Sequence, residues 1–307
     1  MDIFLQQLIN GLVLGSIYAL VALGYTMVYG ILGLINFAHG DIVMIGALTS
    51  IATAQALVAA GVPPPLALAI AALVAIAVCT VLGVTIERVA YRPLRRAPRL
   101  APLITAIGVS VLLQYSAALI WGKQYISMPE LFQQSAFTVG GARVSDLQLF
   151  ILALACALML GLLWFIRSSR IGRAMRATEQ HADVAGLMGV DTNRIISFTF
   201  LLGSAIGAVA GVMVVIYYGL GHYFMGFMLG IKAFTAAVLG GIGNVAGAML
   251  GGLLLGIVES LASGYIGDLT GGVIGSNYRD IFAFLVLVLV LVLRPSGLLG
   301  YRGGDRA

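Results

Sequence analysis

Residues 195–218 read IISFTFLLGSAIGAVAGVMVVIYY, a run of 24 positions without a charged side chain. A bilayer-crossing helix needs about 20 mainly apolar residues. The run is far longer than the roughly 10 residues of a membrane barrel strand, and it lacks the dyad alternation such strands carry. It therefore predicts a transmembrane helix. Gly203, Gly207 and Gly211 stand four apart within it, which lines one helix face with small residues and permits close backbone approach. That spacing serves ordinary helix packing, or a tight bundle whose helices shift against each other during transport.

Upstream lies a loop, 167–194, crowded with Arg167, Arg170, Arg173, Arg176 and Arg194. Inside it Thr178 to Val190 (TEQHADVAGLMGV) is rich in small residues and mixed charge, and is able to form a short helix. A polar insert of this kind in an apolar chain asks for a partner. Other apolar runs fall at about 8–30, 37–60, 66–86, 101–121, 147–166, 227–241, 245–264 and 279–293, predicting an all-α polytopic bundle of eight or nine membrane segments. The run at 227–241 is short and ends in Gly240-Gly241-Ile242-Gly243-Asn244. This predicts a non-helical break, which survives at membrane depth only where protein or a water-filled cavity covers it. Gly247, Gly251, Gly252 and Gly256 form a second small-residue stripe.

Composition agrees. The 307 residues are 61% hydrophobic and 9% charged, with a mean hydropathy of +1.05. Soluble domains carry about 25% charged residues, so lipid must be the solvent. The net charge of +5 comes from arginine, the only lysines being Lys123 and Lys232. Arginines beside apolar runs fit topology control, and without a basic stripe interleaved with aromatics nucleic acid is not expected as a partner. Cys79 and Cys156 both lie in apolar runs and are expected to be buried thiols. No positively charged segment precedes the first apolar run, so that span is expected to stay in the mature protein.

Arginine also sets orientation. Arg88, Arg92, Arg95, Arg96 and Arg99 occupy loop 87–99, five more occupy 167–194, and Arg294, Arg302 and Arg306 lie in the tail. Short arginine-rich loops stay cytoplasmic, which places these three inside and 122–146 outside. Three full crossings before Arg88 put Met1 outside; a re-entrant or broken 37–60 segment puts it inside.

Recognisable catalytic chemistry is missing from the sequence. There is no GxxxxGK[ST] phosphate loop, no nucleophile elbow, and no metal-ligand spacing among His39, His181 and His222. Polar residues at membrane depth remain. Asn36, His39 and Asp41 fit either a helix cap or a polar constriction on a pathway. Lys232 fits either snorkelling or a pathway-facing or ion-paired position. Glu259 fits the interface or a pair with Lys232, and Glu87 is expected to pair structurally with neighbouring arginines.

Five segments carry a family resemblance: Gly24-Tyr25-Thr26-Met27-Val28-Tyr29-Gly30, Asn36-Phe37-Ala38-His39-Gly40-Asp41, Ile86-Glu87-Arg88-Val89-Ala90-Tyr91-Arg92-Pro93-Leu94, the stretch from Lys232 to Gly243 (KAFTAAVLGGIG), and Arg294-Pro295-Ser296-Gly297-Leu298-Leu299-Gly300. Together they resemble the H-type permease subunits of branched-chain amino-acid ABC importers, nearly end to end. Related urea and short-amide permeases share much of the pattern. The chain departs from it at Asn244-Val245-Ala246, where members often have a pair ending in proline, and at Gly219–Phe224.

The resemblance implies one transmembrane permease domain over 1–307, with a cytoplasmic coupling loop at 167–194, in a bacterial inner membrane. It implies a second, M-type permease, two cytoplasmic ATPase subunits that hold ATP and Mg, and a periplasmic binding protein. This chain would be non-catalytic and would bind no cofactor. The segment 173–190 then resembles a coupling helix, with Arg173, Arg176, Glu179, Asp183, Ala185, Gly186 and Gly189 as contact residues. Asn36, His39, Asp41, Lys232, Thr235 and Glu259 are the pathway candidates. The cargo expected is a branched-chain or related hydrophobic amino acid, moved inward by alternating access. The same architecture carrying urea or a short amide is the alternative; a stand-alone carrier using Asp41 and Glu259 is the remaining one.

Overall fold

The apolar runs become helices: α1 (Asp2–Leu32), α2 (His39–Ala59), α3 (Pro64–Ile86), α4 (Leu100–Trp121), α5 (Asp146–Ser168), α6 (Arg170–Gln180), α7 (Ala182–Leu187), α8 (Thr192–Tyr218), α9 (Met225–Gly240), α10 (Val245–Leu269) and α11 (Arg279–Leu293). The computed structural model describes residues 2–95, 97–98, 100–131, 135–269, 271, 278–294 and 296–300. Met1, Arg96, Arg99, Pro295, Arg302 and Arg306, used in the orientation and motif readings, lie outside the described residues. Among the described residues seven helices are long and apolar enough to cross a membrane, and Met225–Gly240 and Asp280–Leu293 are shorter apolar helices.

Contacts divide the chain into two units. One comprises 1–23, 133–159 and 232–307; the other comprises 24–132 and 160–231. In the first unit glycine sets the packing. A Cβ on Gly11 would come within 2.7 Å of the Ile257 Cα, and one on Gly15 within 2.8 Å of the Leu253 Cα. From the other side, Gly252 abuts the Ala19 backbone and Gly256 the Gly15 backbone. Two Gly-x-x-x-Gly pairs, one on α1 and one on α10, therefore interlock, as small-residue interfaces between membrane helices do. Only the α10 half stood out in the sequence. Gly256→Val is expected to lower thermal stability by about 1–3 kcal/mol, because backbone cannot yield as a side chain can. Gly108→Ala on α4, where an added Cβ meets nothing within 4 Å, is the tolerated control. An unchanged melting temperature in Gly256→Val would refute the interlock.

The break after α9 is real and covered. Gly241 and Gly243 have φ of 106° and 92°, values open mainly to glycine. The segment 296–300 lies over it: Leu298 N–H donates to Leu239 C=O and Leu299 N–H to Gly240 C=O, both at 2.9 Å. The last carbonyls of α9 are thereby satisfied by protein. Asn244 donates from Nδ2 to Leu299 C=O at 2.8 Å and accepts at Oδ1 from Gly247 N–H at 3.0 Å. One side chain thus caps α10 and ties down the C-terminal segment.

The same unit holds a hairpin, β2 (Ala136–Val139) and β3 (Ala142–Ser145), turning through Gly140 and Gly141 at φ 58° and 90°. Two-residue turns of the primed type need positive φ at both positions. Gln6 ties it to α1, with Nε2 donating to Arg143 C=O and Oε1 accepting from Arg143 N–H.

In the second unit α2, α3 and α8 form the core. Two glycines of the α8 stripe lie against α2: Gly211 abuts the Val43 carbonyl, and Gly207 faces Val43 and His39, while Gly203 faces Gly24 of α1. Gly83 of α3 abuts Ser204. Cys79 is buried here, whereas Cys156 is exposed, a correction to the expectation for both thiols. On a helix apolar all round, composition does not say which face meets lipid. A π-helical turn (Glu87–Tyr91) and a 3₁₀ turn (Arg92–Leu94) continue α3. Short strands β1 (Ile126–Ser127) and β4 (Leu220–Gly221) pair beyond the helix ends.

Candidate functional site

Polar side chains gather in three places. In the first unit Lys232 of α9 sends Nζ to Glu259 Oε1 at 2.7 Å and to Asp280 Oδ1 at 2.7 Å. Tyr18 of α1 completes the cluster: its hydroxyl donates to Glu259 Oε2 at 2.9 Å and lies 3.3 Å from Lys232 Nζ. Side-chain exposure is 7% for Lys232, 1% for Glu259 and 31% for Asp280. An ammonium is therefore shared between two carboxylates within apolar helices. Charges there are costly unless paired, and mark functional positions. The pair reading of Lys232 and Glu259 holds. Thr235, one turn along α9, is fully buried.

In the second unit Asp41 of α2 accepts from the Ser110 hydroxyl at Oδ2 and from Gln114 Nε2 at Oδ1, the latter at 3.1 Å. Gln114 Nε2 also donates to Ser110 Oγ at 3.1 Å. Asp41 thus bonds to α4 rather than capping α2, whose start has no side-chain cap. The His39 ring packs edge-on to Tyr25, centroids 4.9 Å apart, in a space that a Cβ on Gly24 would fill. Asn36 does act locally, accepting from Ala38 N–H at 3.2 Å. Its Oδ1 also accepts from the Tyr91 hydroxyl at 3.0 Å.

The third cluster sits where α3 ends. Glu87, fully buried, pairs with Arg95 and accepts from the Ser197 hydroxyl at 2.6 Å. Arg95 also donates to Asn193 Oδ1 at 2.7 Å. Partial burial pushes the Arg95 guanidinium below its ordinary pKa, and the Glu87 carboxylate beside it opposes that shift. A chain of bonds runs from Asn193 through Arg95 and Glu87 into the π-helical turn. From there Tyr91 reaches Asn36, just ahead of α2.

The insert between α5 and α8 is helical. Ser169 caps α6 by accepting from Gly172 N–H at 2.8 Å. His181, at φ −150° and ψ 95°, breaks α6 from α7. Gly189 turns the chain at φ 87°, and Asp191 caps α8 through Arg194 N–H at 3.1 Å. The contact residues expected from the resemblance divide here. Asp183, Gly186 and Gly189 are exposed. Arg173 is exposed too, donating to Ser168 C=O at 3.2 Å. Arg176 spends its guanidinium on the C-terminal carbonyls of α5, at Ile166 and Arg167, and Ala185 is buried. Glu179 is exposed but lies against α1, where a Cβ on Gly30 would come within 2.9 Å of its Oε1. What the knuckle presents outward is apolar: Val184, Leu187 (87% exposed) and Met188 (81% exposed).

Sequence reasoning missed Tyr18, Asp280, Ser110, Gln114, and the outward Leu187 and Met188. Ser110 and Gln114 carried a signal, being polar and four apart on one face of an apolar helix. Asp280 reads in sequence as an acid favouring a helix N-terminus.

Known proteins resemble this chain in sequence and in fold. The family described as "Branched-chain amino acid transport system / permease component" matches residues 7–291. The branched-chain amino acid permease LivH of Escherichia coli K12 is 46% identical over 303 residues, 97% of this chain and 96% of that one. BraD of Pseudomonas aeruginosa is 45% identical over 302 residues, with the same coverage. Among solved structures, PsaBC from Streptococcus pneumoniae in complex with Fab superposes with a TM-score of 0.50 at 13% identity. It covers 95% of this chain and 92% of that one, a likeness of fold alone.

Proposed function

Because the chain belongs to the branched-chain amino acid transport permease family, we propose that it is a membrane-spanning subunit of an ATP-binding-cassette importer for branched-chain or related hydrophobic amino acids. The observation that carries this reading is the match to LivH and BraD along 97% of the chain. The permease works as one domain in a bacterial inner membrane, with its arginine-rich loops and C-terminus cytoplasmic. It pairs with a second permease, receives cargo from a periplasmic binding protein, and carries no catalytic residues. ATP and Mg are held by two ATPase subunits below it. No comparable observation favours a urea or short-amide cargo, or a stand-alone carrier.

The α6–α7 knuckle is the coupling contact. Val184, Leu187 and Met188 supply its apolar knob, with Arg173, Asp183, Gly186 and Gly189 at the rim. Arg176, Glu179 and Ala185 hold the knuckle on the bundle instead of meeting the partner. Movement of the knuckle passes to Asn193, and the Arg95–Glu87 pair and Tyr91–Asn36 bond carry it towards α2 and its pathway residues His39 and Asp41. Lys232, Thr235 and Glu259 belong to the pathway in the other unit.

The test uses the reconstituted full complex with the double substitution Leu187→Asp, Met188→Asp. Buried apolar anchors carry most of an interface's energy, so ATPase affinity is expected to fall roughly thirtyfold or more. ATP-driven leucine uptake is expected to fall with it. Unchanged uptake in assembled complexes would remove the coupling assignment.

A further inference from the structure

We infer that Asp41, with Ser110 and Gln114, is a binding site within the spans for a primary ammonium group, the α-ammonium of the amino acid in transit. The inference rests on the importer reading above and names what part of the cargo this site holds.

Of the three carboxylates buried among the described residues, Glu87 and Glu259 have a cation and Asp41 differs. Glu259 has an ammonium of its own: Lys232 Nζ sits 2.7 Å from Glu259, 2.7 Å from Asp280 and 3.3 Å from the Tyr18 hydroxyl. In that cluster the ammonium meets two carboxylates and a hydroxyl. Asp41 is 1% exposed and sits among the same kind of groups, the Ser110 hydroxyl and the Gln114 amide. Among the described residues it forms no ion pair.

Hydrogen-bond direction defines its chemistry further. Gln114 Nε2 donates to both Asp41 and Ser110, and the Ser110 hydroxyl donates to Asp41. Both the Ser110 hydroxyl and the Gln114 amide donate to the carboxyl, so Asp41 is the acceptor of this group. A buried carboxylate without a cation is costly, and an opposite charge offsets part of that cost. The Gln114 carbonyl and Ser110 oxygen add neutral acceptors for the remaining N–H groups. The carboxylate is enclosed here, so cargo reaches it when α2 and α4 part. Rebinding Ser110 and Gln114 to the carboxylate after the cargo leaves favours release.

Asp41→Asn separates charge from shape. The amide is isosteric and still accepts a hydrogen bond, so a merely structural Asp41 tolerates it. In proteoliposomes holding the full complex, with binding protein outside, initial leucine uptake is expected to fall about thirtyfold or more in Asp41→Asn, the scale for losing one partner of a desolvated charge pair. Asp41→Glu, which keeps the charge, retains more. Uptake at the native rate in Asp41→Asn overturns the site. Replacing external sodium by choline leaves native uptake unchanged if the occupant is cargo; dependence on sodium overturns the assignment in favour of an inorganic cation. If Asp41→Asn does not assemble, Ser110→Ala and Gln114→Met carry the test: raised KM for leucine supports the site, and native KM in both overturns it. Failure of the native complex to import leucine counts against the importer reading itself, and is told apart from these outcomes because it needs no substitution.

Discussion

Lys232→Ala is expected to cost about 3–5 kcal/mol of stability, the scale for removing one partner of a buried ion pair. The substitution takes away the ammonium that lies 2.7 Å from both Glu259 and Asp280. Two carboxylates then face each other at membrane depth without the cation they shared, and the Tyr18 hydroxyl loses a neighbour. Against a total stability of about 5–15 kcal/mol, that loss is a large fraction. Folded yield in membranes and the unfolding temperature of detergent-solubilised protein are the readouts. The companion variant Lys232→Met, Glu259→Met removes the pair together. Apolar replacements of matched volume for buried ion pairs are often close to neutral, so the double variant should recover the part of the loss that comes from Glu259, while Asp280, 31% exposed, still lacks its cation. If the single variant is as stable as the native chain, the cluster contributes nothing to the fold. If the double variant is as damaged as the single one, the loss comes from packing rather than from charge.

The second large effect is expected at Glu87. Glu87→Ala leaves the Arg95 guanidinium, 18% exposed, and the Ser197 hydroxyl without their shared acceptor. Loss of a buried pair sets the upper scale and the partial exposure of Arg95 discounts it, giving about 2–4 kcal/mol. Glu87→Gln keeps acceptor geometry but not charge and should fall between. The Glu87 carboxylate is also what opposes the burial-driven drop in the Arg95 pKa, so the alanine variant holds its guanidinium less favourably. Uptake normalised to assembled complex gives a second measure. Since Glu87 links Asn193 to the π-helical turn, uptake per complex should drop in Glu87→Ala even where assembly is restored at low temperature. Native uptake per complex would confine Glu87 to a stability role.

Several features were legible in the chain because they depend on neighbours in sequence. The length and apolarity of 195–218 require a membrane helix, whatever it packs against. The glycines of 240–243 and Asn244 mark a break, since positive φ and a capping amide are local properties. The small residues and mixed charge of 178–190 likewise announce a short helical insert. The family resemblance rests on the same kind of information, contiguous motifs read one residue after another.

Tertiary structure decided the rest. Whether Lys232 snorkels or pairs depends on α9, α10, α11 and α1 bringing Glu259, Asp280 and Tyr18 to one point, and those residues are up to 262 positions apart, as Tyr18 and Asp280 are. Asp41 could cap its own helix; the approach of α4 makes it an acceptor for Ser110 and Gln114. Arg176 looks like a rim charge in sequence, and becomes a cap for α5 because Gly172 lets α6 lie against Ile166. The cause is common to all three. A soluble helix shows its inner face by an apolar stripe against a polar one, but helices such as α1, α2 and α3 are apolar all round, and the stripe is missing. Sequence alone determined that these segments cross a membrane and where they break; which faces meet, and therefore which few polar groups are brought together in the interior, was settled only by packing.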